Sequence, residues 1–288
     1  MSTPMGSGYR PGRTLPFRVE LVRQMRRRRT VLAFGFLLLL PWILVLAFAA
    51  DGAGGSGGGG EGPGGPGVAD LATAGAVNFA VFCMYVSSGF LLVVVVALFC
   101  GDTVSSEASW SSLRYLLAAP VPRTRLLRQK LLVGLALSAA AVTALPLMAL
   151  AAGALVYGPH PLSLPAGGPE LTAAESLSRL GVIVLYAMAS LLLVAGTAFA
   201  LTVATDSPLG AVGGAVALII TSNILEAVDA LGAIREFLPA YWMSAWTDVL
   251  RPEIPVDGMI KGAAVSFSYA VILTAWAFRH FRTKDVLS

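Results

Sequence analysis

Long apolar runs alternate with shorter polar stretches along the chain. Six runs, about residues 31–50, 77–100, 131–157, 180–203, 209–225 and 259–278, are long enough to cross a bilayer. A helix rises about 1.5 Å per residue, so about 20 apolar residues span the hydrocarbon core. The pattern predicts an all-α polytopic membrane protein with six transmembrane helices. Pro41 and Pro146 fall inside the first and third runs and are expected to bend them, because proline lacks the backbone donor. Gly210 and Gly214 offer a small face for close helix packing on the fifth run. Arg28-Arg29 ahead of the first run, with Ala47-Phe48-Ala49 at its end, also fit a cleaved leader. The apolar core of a leader is usually about 7–15 residues, so the longer run here is expected to stay as a span.

The stretches between the runs differ in kind. Residues 1–14 show no apolar period and predict a disordered tail, leaving 15–288 as one six-helix transmembrane domain. From Leu15 to Thr30, Phe17, Leu21 and Met25 recur at helical spacing among Arg18, Arg23 and Arg26, Arg27, Arg28 and Arg29. That predicts an amphipathic interfacial helix on an anionic leaflet, each cation near the surface contributing about 1 kcal/mol. Arg26 to Arg29, together with Lys130, are the expected surface anchors; an unstructured basic flank is the alternative. Residues 51–70 are dominated by glycine, but they lack the lysine and the preceding strand of a phosphate loop and predict a flexible linker. Residues 101–130 are too polar to span. Leu113, Leu116 and Leu117 lie along a short amphipathic helix that Pro120 and Pro122 end. Residues 226–258 hold six acids, two arginines and the aromatics Phe237, Tyr241, Trp242 and Trp246. They predict short interfacial or re-entrant helices before the sixth span.

Composition sharpens the class. Hydrophobic residues make up 56% of the chain and charged residues 12%, against about 25% charged in soluble domains; mean hydropathy is +0.77. Of the 20 lysines and arginines, eight lie in the N-terminal segment, five in 101–130 and three at the C-terminus. Basic residues concentrate on the cytoplasmic side, so a multi-pass protein of the cell (inner or plasma) membrane is expected, with both termini cytoplasmic. The net charge of +4 sits between spans rather than forming a nucleic-acid footprint, so no nucleic acid is expected as a partner. Cys83 and Cys100 are seventeen positions apart in one run, about 25 Å on a straight helix, and cannot pair. His160 and His280 lie at a loop and a membrane edge, so no catalytic triad or metal set is expected. The spans carry almost no ionisable residues, with Asn78 and Asn223 their main polar groups. An ion-coupled transporter usually keeps charge at mid-membrane. The expectation is a chain with no catalytic site, no metal and no cofactor of its own.

Within 101–130, Glu107 precedes Ser111-Ser112-Leu113, then Leu117, Pro120-Val121, Arg123 and Lys130; Phe281-Arg282-Thr283-Lys284-Asp285 ends the last helix. This order, with the six-span layout, resembles ABC-2 type permeases, the transmembrane subunits of ATP-binding-cassette exporters. The family's usual Gly-Thr pair is replaced by Ser111-Ser112. The resemblance implies that residues 101–130 carry a cytoplasmic coupling helix, between helices 2 and 3, that docks on a separate ATPase subunit. Glu107, Leu113, Arg114, Leu117, Pro120, Val121 and Arg123 are then the docking residues. It also implies a homo- or heterodimer of permeases that moves a substrate outward. The alternative is a non-transporting membrane assembly or sensor protein whose basic loop binds a soluble regulator.

Overall fold

The computed structural model describes residues 17–53, 71–105, 123–165, 167, 171–205 and 207–283. Among them every regular element is helical. The α-helices are α1 (Phe17–Met25), α2 (Arg28–Ala53), α3 (Ala76–Ser88), α4 (Leu91–Gly101), α5 (Arg123–Val156), α6 (Ala173–Ala204), α7 (Pro208–Glu226) and α8 (Val256–Thr283). Short 3-10 segments, Asp229–Phe237 and Ala245–Leu250, join α7 to α8. Five helices are long and apolar enough to cross a membrane, and α3 with α4 makes a sixth if the pair is one span. The tail 1–14 and most of the glycine-rich linker lie outside the described residues.

The second predicted span is not one straight helix. α3 and α4 are bent by 60° at Gly89-Phe90. Ser88 donates its hydroxyl to the Tyr85 carbonyl at 3.1 Å. Gly89 is a poor helix former, and Phe90, at φ −138°, leaves the helical region before α4 begins. By contrast, Pro41 and Pro146 sit inside continuous helices.

Two helices start earlier than their apolar runs. α5 begins at Arg123, and its 34 residues extend about 50 Å. That exceeds the hydrocarbon core of about 30 Å, so polar turns project beyond the apolar section. α6 begins with a capping box: Thr172 accepts from the Glu175 amide at 3.2 Å, and Glu175 accepts from the Thr172 amide at 2.9 Å. The reciprocal bonds satisfy two otherwise orphaned donors.

α6 is the centre of the bundle. Its apolar window is 67% buried, against 17% for α2 and for α8. α4, α7, α8 and the second 3-10 segment all pack on it. Of the predicted pair, Gly214 is close to α6, where a side chain would meet Leu201 at 3.0 Å, but the tightest backbone approaches fall on other glycines. A side chain at Gly196 would meet the Ala270 backbone at 2.8 Å, and one at Gly153 would meet the Ala76 backbone at 2.9 Å. Gly210 is exposed and nears only its own N-cap region.

At the end of the bundle away from α1, polar side chains tie the connections down. Asn78, inside an apolar run, makes two 2.9 Å bonds to the backbone of Ser163. Arg179 donates to the carbonyls of Val249, Arg251 and Pro252. Tyr186 donates to the Trp242 carbonyl at 2.5 Å. Trp246, Val249 and Leu250 are buried below this cap, whereas the first 3-10 segment buries none of its residues.

Candidate functional site

The densest group of buried charge lies at the opposite end, where α1, the start of α2, the end of α4, the first turns of α5 and the end of α6 meet. Four of its members follow from local chain geometry. Glu20 and Gln24 are one turn apart on α1, so they share a face, and both are buried. Asp102 caps the end of α4. Lys130 lies two turns into α5, beyond the helix's exposed start.

Lys130 is fully buried. A buried ammonium is stable only when its protons and charge are met. Its Nζ donates to the Thr103 carbonyl at 2.8 Å and lies 3.7 Å from Glu20 Oε1. Glu20 also accepts from Gln24 at 3.1 Å and pairs with Arg23 at 2.9 Å. Burial pushes the Glu20 carboxyl up, but Lys130, Arg23 and the Gln24 amide together outweigh it and hold the group below the usual carboxylate range.

Asp102 is buried between two guanidinium groups. Arg27 donates to its Oδ2 at 3.0 Å, and Arg29 pairs with its Oδ1. Burial is the stronger influence and raises the Asp102 carboxyl, while Arg29 and Arg27 pull the other way. The hydroxyl of Thr202, at the end of α6, accepts from the amides of Val104 and Ser105 at 3.3 and 3.0 Å. It also donates to the Ser105 hydroxyl at 3.0 Å. Beneath the polar layer, Val104, Leu127, Phe199, Val203, Ala277 and Phe281 form a separate apolar cluster.

The group therefore joins the two ends of the 101–130 loop to each other and to three helices. Thr103 and Lys130, 27 positions apart, are in direct contact. Of the predicted docking residues, Glu107, Leu113, Arg114, Leu117, Pro120 and Val121 lie outside the described residues. Arg123 opens α5.

The expected surface anchors divide. Arg26 and Arg28 are exposed. Arg27 and Arg29 turn toward Asp102. Lys130 is not a surface anchor: two turns into α5 its side chain points at α1 and the end of α4, where Glu20 and the Thr103 carbonyl receive it. Sequence reasoning missed Glu20, Gln24, Asp102 and Thr202. Glu20 and Asp102 did leave a signal, as lone acids set into basic or apolar surroundings.

A second feature lies deeper. An apolar cavity of about 190 Å³ sits between α4, α5 and α6, lined by Val96, Leu135, Ser138, Val142, Met188 and Leu191 among others. Its one hydroxyl, Ser138, is turned back to the Gly134 carbonyl at 2.8 Å. The walls present hydrocarbon, which suits an apolar group. In comparisons with known proteins, no family model matches the chain and no curated protein matches it.

Proposed function

We propose that the chain is the membrane-spanning permease subunit of an ATP-driven exporter, of the kind that ABC-2 permeases form. Residues 101–130 dock on a separate ATPase subunit, and both termini lie on the cytoplasmic side. A second permease completes the pathway. α1 lies along the cytoplasmic leaflet as an interfacial helix, and the 229–250 segments form the outer cap. The observation that carries this proposal is the buried charge group holding both ends of the loop. A loop transmits force only if its ends are fixed to the elements that must move. Lys130 and Thr103 close this loop, Glu20 joins it to α1, and Thr202 joins it to α6. The apolar cavity beside α6 suits a hydrophobic or amphipathic cargo.

Affinity purification of the tagged chain from native membranes, beside Arg123→Glu, tests the proposal. The expected result is an ATPase subunit that accompanies the wild type and is depleted in the variant. If no ATPase accompanies the wild type under conditions that keep membrane complexes intact, the proposal fails and the sensor or assembly role takes its place.

A further inference from the structure

The apolar cavity between α4, α5 and α6 is closed on three sides and lined by hydrocarbon. We propose that it is a binding site for the apolar group of a free, uncharged lipophile, which enters from the bilayer between α5 and α6. That this lipophile is cargo rests on the exporter reading; the existence of the site does not.

The position of the cavity gives it access to the membrane and to nothing else. Ala139 and Met188, on its two facing walls, stand near the middles of α5 and α6. The α5 wall is Leu135, Ser138, Ala139 and Val142, and the α6 wall is Met188, Leu191, Leu192 and Ala195. Each set has the i, i+3, i+4, i+7 spacing of one helix face, so the lumen follows both helices for two turns, about 10 Å. Val96 of α4 closes the back. α4 and α5 meet closely one turn earlier, where a side chain at Gly134 would reach the Phe99 carbonyl at 3.0 Å. Val96, Ser138, Leu191 and Ala195 are buried, whereas Leu135, Ala139, Met188 and Leu192 are half-buried. Seven positions before Ala139 and Leu192, on the same helix faces, Leu132 and Leu185 are exposed. The open side therefore faces the membrane.

The lining selects the occupant by chemistry and size. No charged residue lines the cavity. The Ser138 hydroxyl donates to the Gly134 carbonyl at 2.8 Å and meets the Cys100 sulfur at 3.8 Å, so it is already occupied. A polar group brought here would lose its hydration and gain no partner. A dry apolar cavity of about 150 Å³ is enough to hold benzene. At about 190 Å³ this one takes a ring-sized group with a short substituent. Met188 is unbranched and polarisable, so it adapts to the shape of what enters. A lipid tail runs the depth of its leaflet, about 15 Å. The lumen encloses only part of such a tail, but the whole of a ring-sized group.

Photolabelling of the full-length chain in phosphatidylcholine nanodiscs tests the site. The probe is phenyl(trifluoromethyl)diazirine, which is apolar and ring-sized, and peptide mass spectrometry locates the label. The expected result is saturable labelling of residues 135–142 and 188–195, displaced several-fold by excess toluene but not by benzylammonium. Val271 and Ile272, exposed on α8, should take label without saturating. Ala139→Phe, which fills the lumen, should reduce the cavity label about tenfold or more, as expected from the loss of about two buried methylenes' worth of contact. Leu185→Phe, outside the lining, should not. If Ala139→Phe fails to fold, Leu192→Phe fills the lumen from the other wall, and displacement by toluene needs no variant. Labelling of the two stretches that does not saturate, as at Val271, overturns the site. Displacement by benzylammonium as strong as by toluene overturns the hydrocarbon assignment. Saturable labelling in delipidated detergent that vanishes in nanodiscs overturns the free lipophile in favour of a lipid chain. The exporter reading stands or falls separately. An ATPase that co-purifies with a chain whose cavity does not saturate sinks the site alone, and a saturable cavity in a chain without an ATPase sinks only the description of its occupant as cargo.

Discussion

Lys130 shows how one residue changes role when its surroundings are known. A lysine at the head of an apolar run looks like a snorkelling anchor. Its complete burial beside Glu20 makes it half of an internal ion pair instead. Breaking such a pair from one side is costly, about 3–5 kcal/mol, because the remaining charge is stranded. Lys130→Met is therefore expected to lower thermal stability in detergent strongly, and Glu20→Gln/Lys130→Met to recover part of the loss. Equal instability of the single and double variants would show that the two charges are not coupled. The pH dependence separates the two carboxylates. Glu20 titrates below its unfolded range of about 4.3, so its contribution is full above that range and is lost as pH falls through the folded value. Asp102 titrates above its unfolded range, so its ionised form is a burden near neutrality that is relieved as pH falls through the raised folded value. Glu20→Gln should accordingly flatten the acid side of a melting-temperature profile. Asp102→Asn should steepen the net decline with acidification, because the opposing relief is gone. Each carboxylate is visible in the sequence as a lone acid, but its role is not, because it depends on partners up to 110 positions away.

At the scale of elements, apolar run length revealed which segments become membrane-length helices and where most of them lie. It did not reveal the break at Gly89-Phe90, since the run is apolar on both sides of it. It also gave no rank among the spans, because lipid-facing and protein-facing helices are both hydrophobic in a membrane. α1 is the clearest case. Phe17 and Leu21, read from their spacing as the apolar face of an interfacial helix, pack against the core of the bundle. Yet Glu20 and Gln24 share that inward face, while Val19, Val22 and Met25 point outward. Glycine pairs within α6 test the inferred packing directly. A side chain at Gly181 meets nothing within 4 Å, whereas one at Gly196 meets the Ala270 backbone at 2.8 Å. Gly181→Ala should stabilise the protein by up to about 1 kcal/mol through helix propensity. Gly196→Ala should destabilise it by forcing α6 and α8 apart. Thermal melts of the two variants in the same detergent give the comparison, and equal stabilisation would mean that α8 is not seated on α6.

For the whole molecule, the decisive relation is between the loop and the bundle. The chain leaves α4 and returns in α5, and both ends meet the same polar group. α6, the most buried helix, contributes Thr202 at one end and Arg179 with Tyr186 at the other. One helix thus bonds to the loop that is proposed to receive the push and to the cap at the far side of the bundle. A displacement of the loop therefore has a direct mechanical route along α6. Thr202→Val tests that route with little change of volume. It leaves the amides of Val104 and Ser105 without their acceptor, at a cost of about 1–3 kcal/mol. The expected outcome is several-fold faster tryptic cleavage within 101–130, together with reduced ATP turnover by the reconstituted complex, while the ATPase still co-purifies. Such a result separates attachment of the partner from transmission of its motion. Loss of the ATPase itself would place Thr202 in docking. Unchanged cleavage and turnover would mean that α6 does not carry the push.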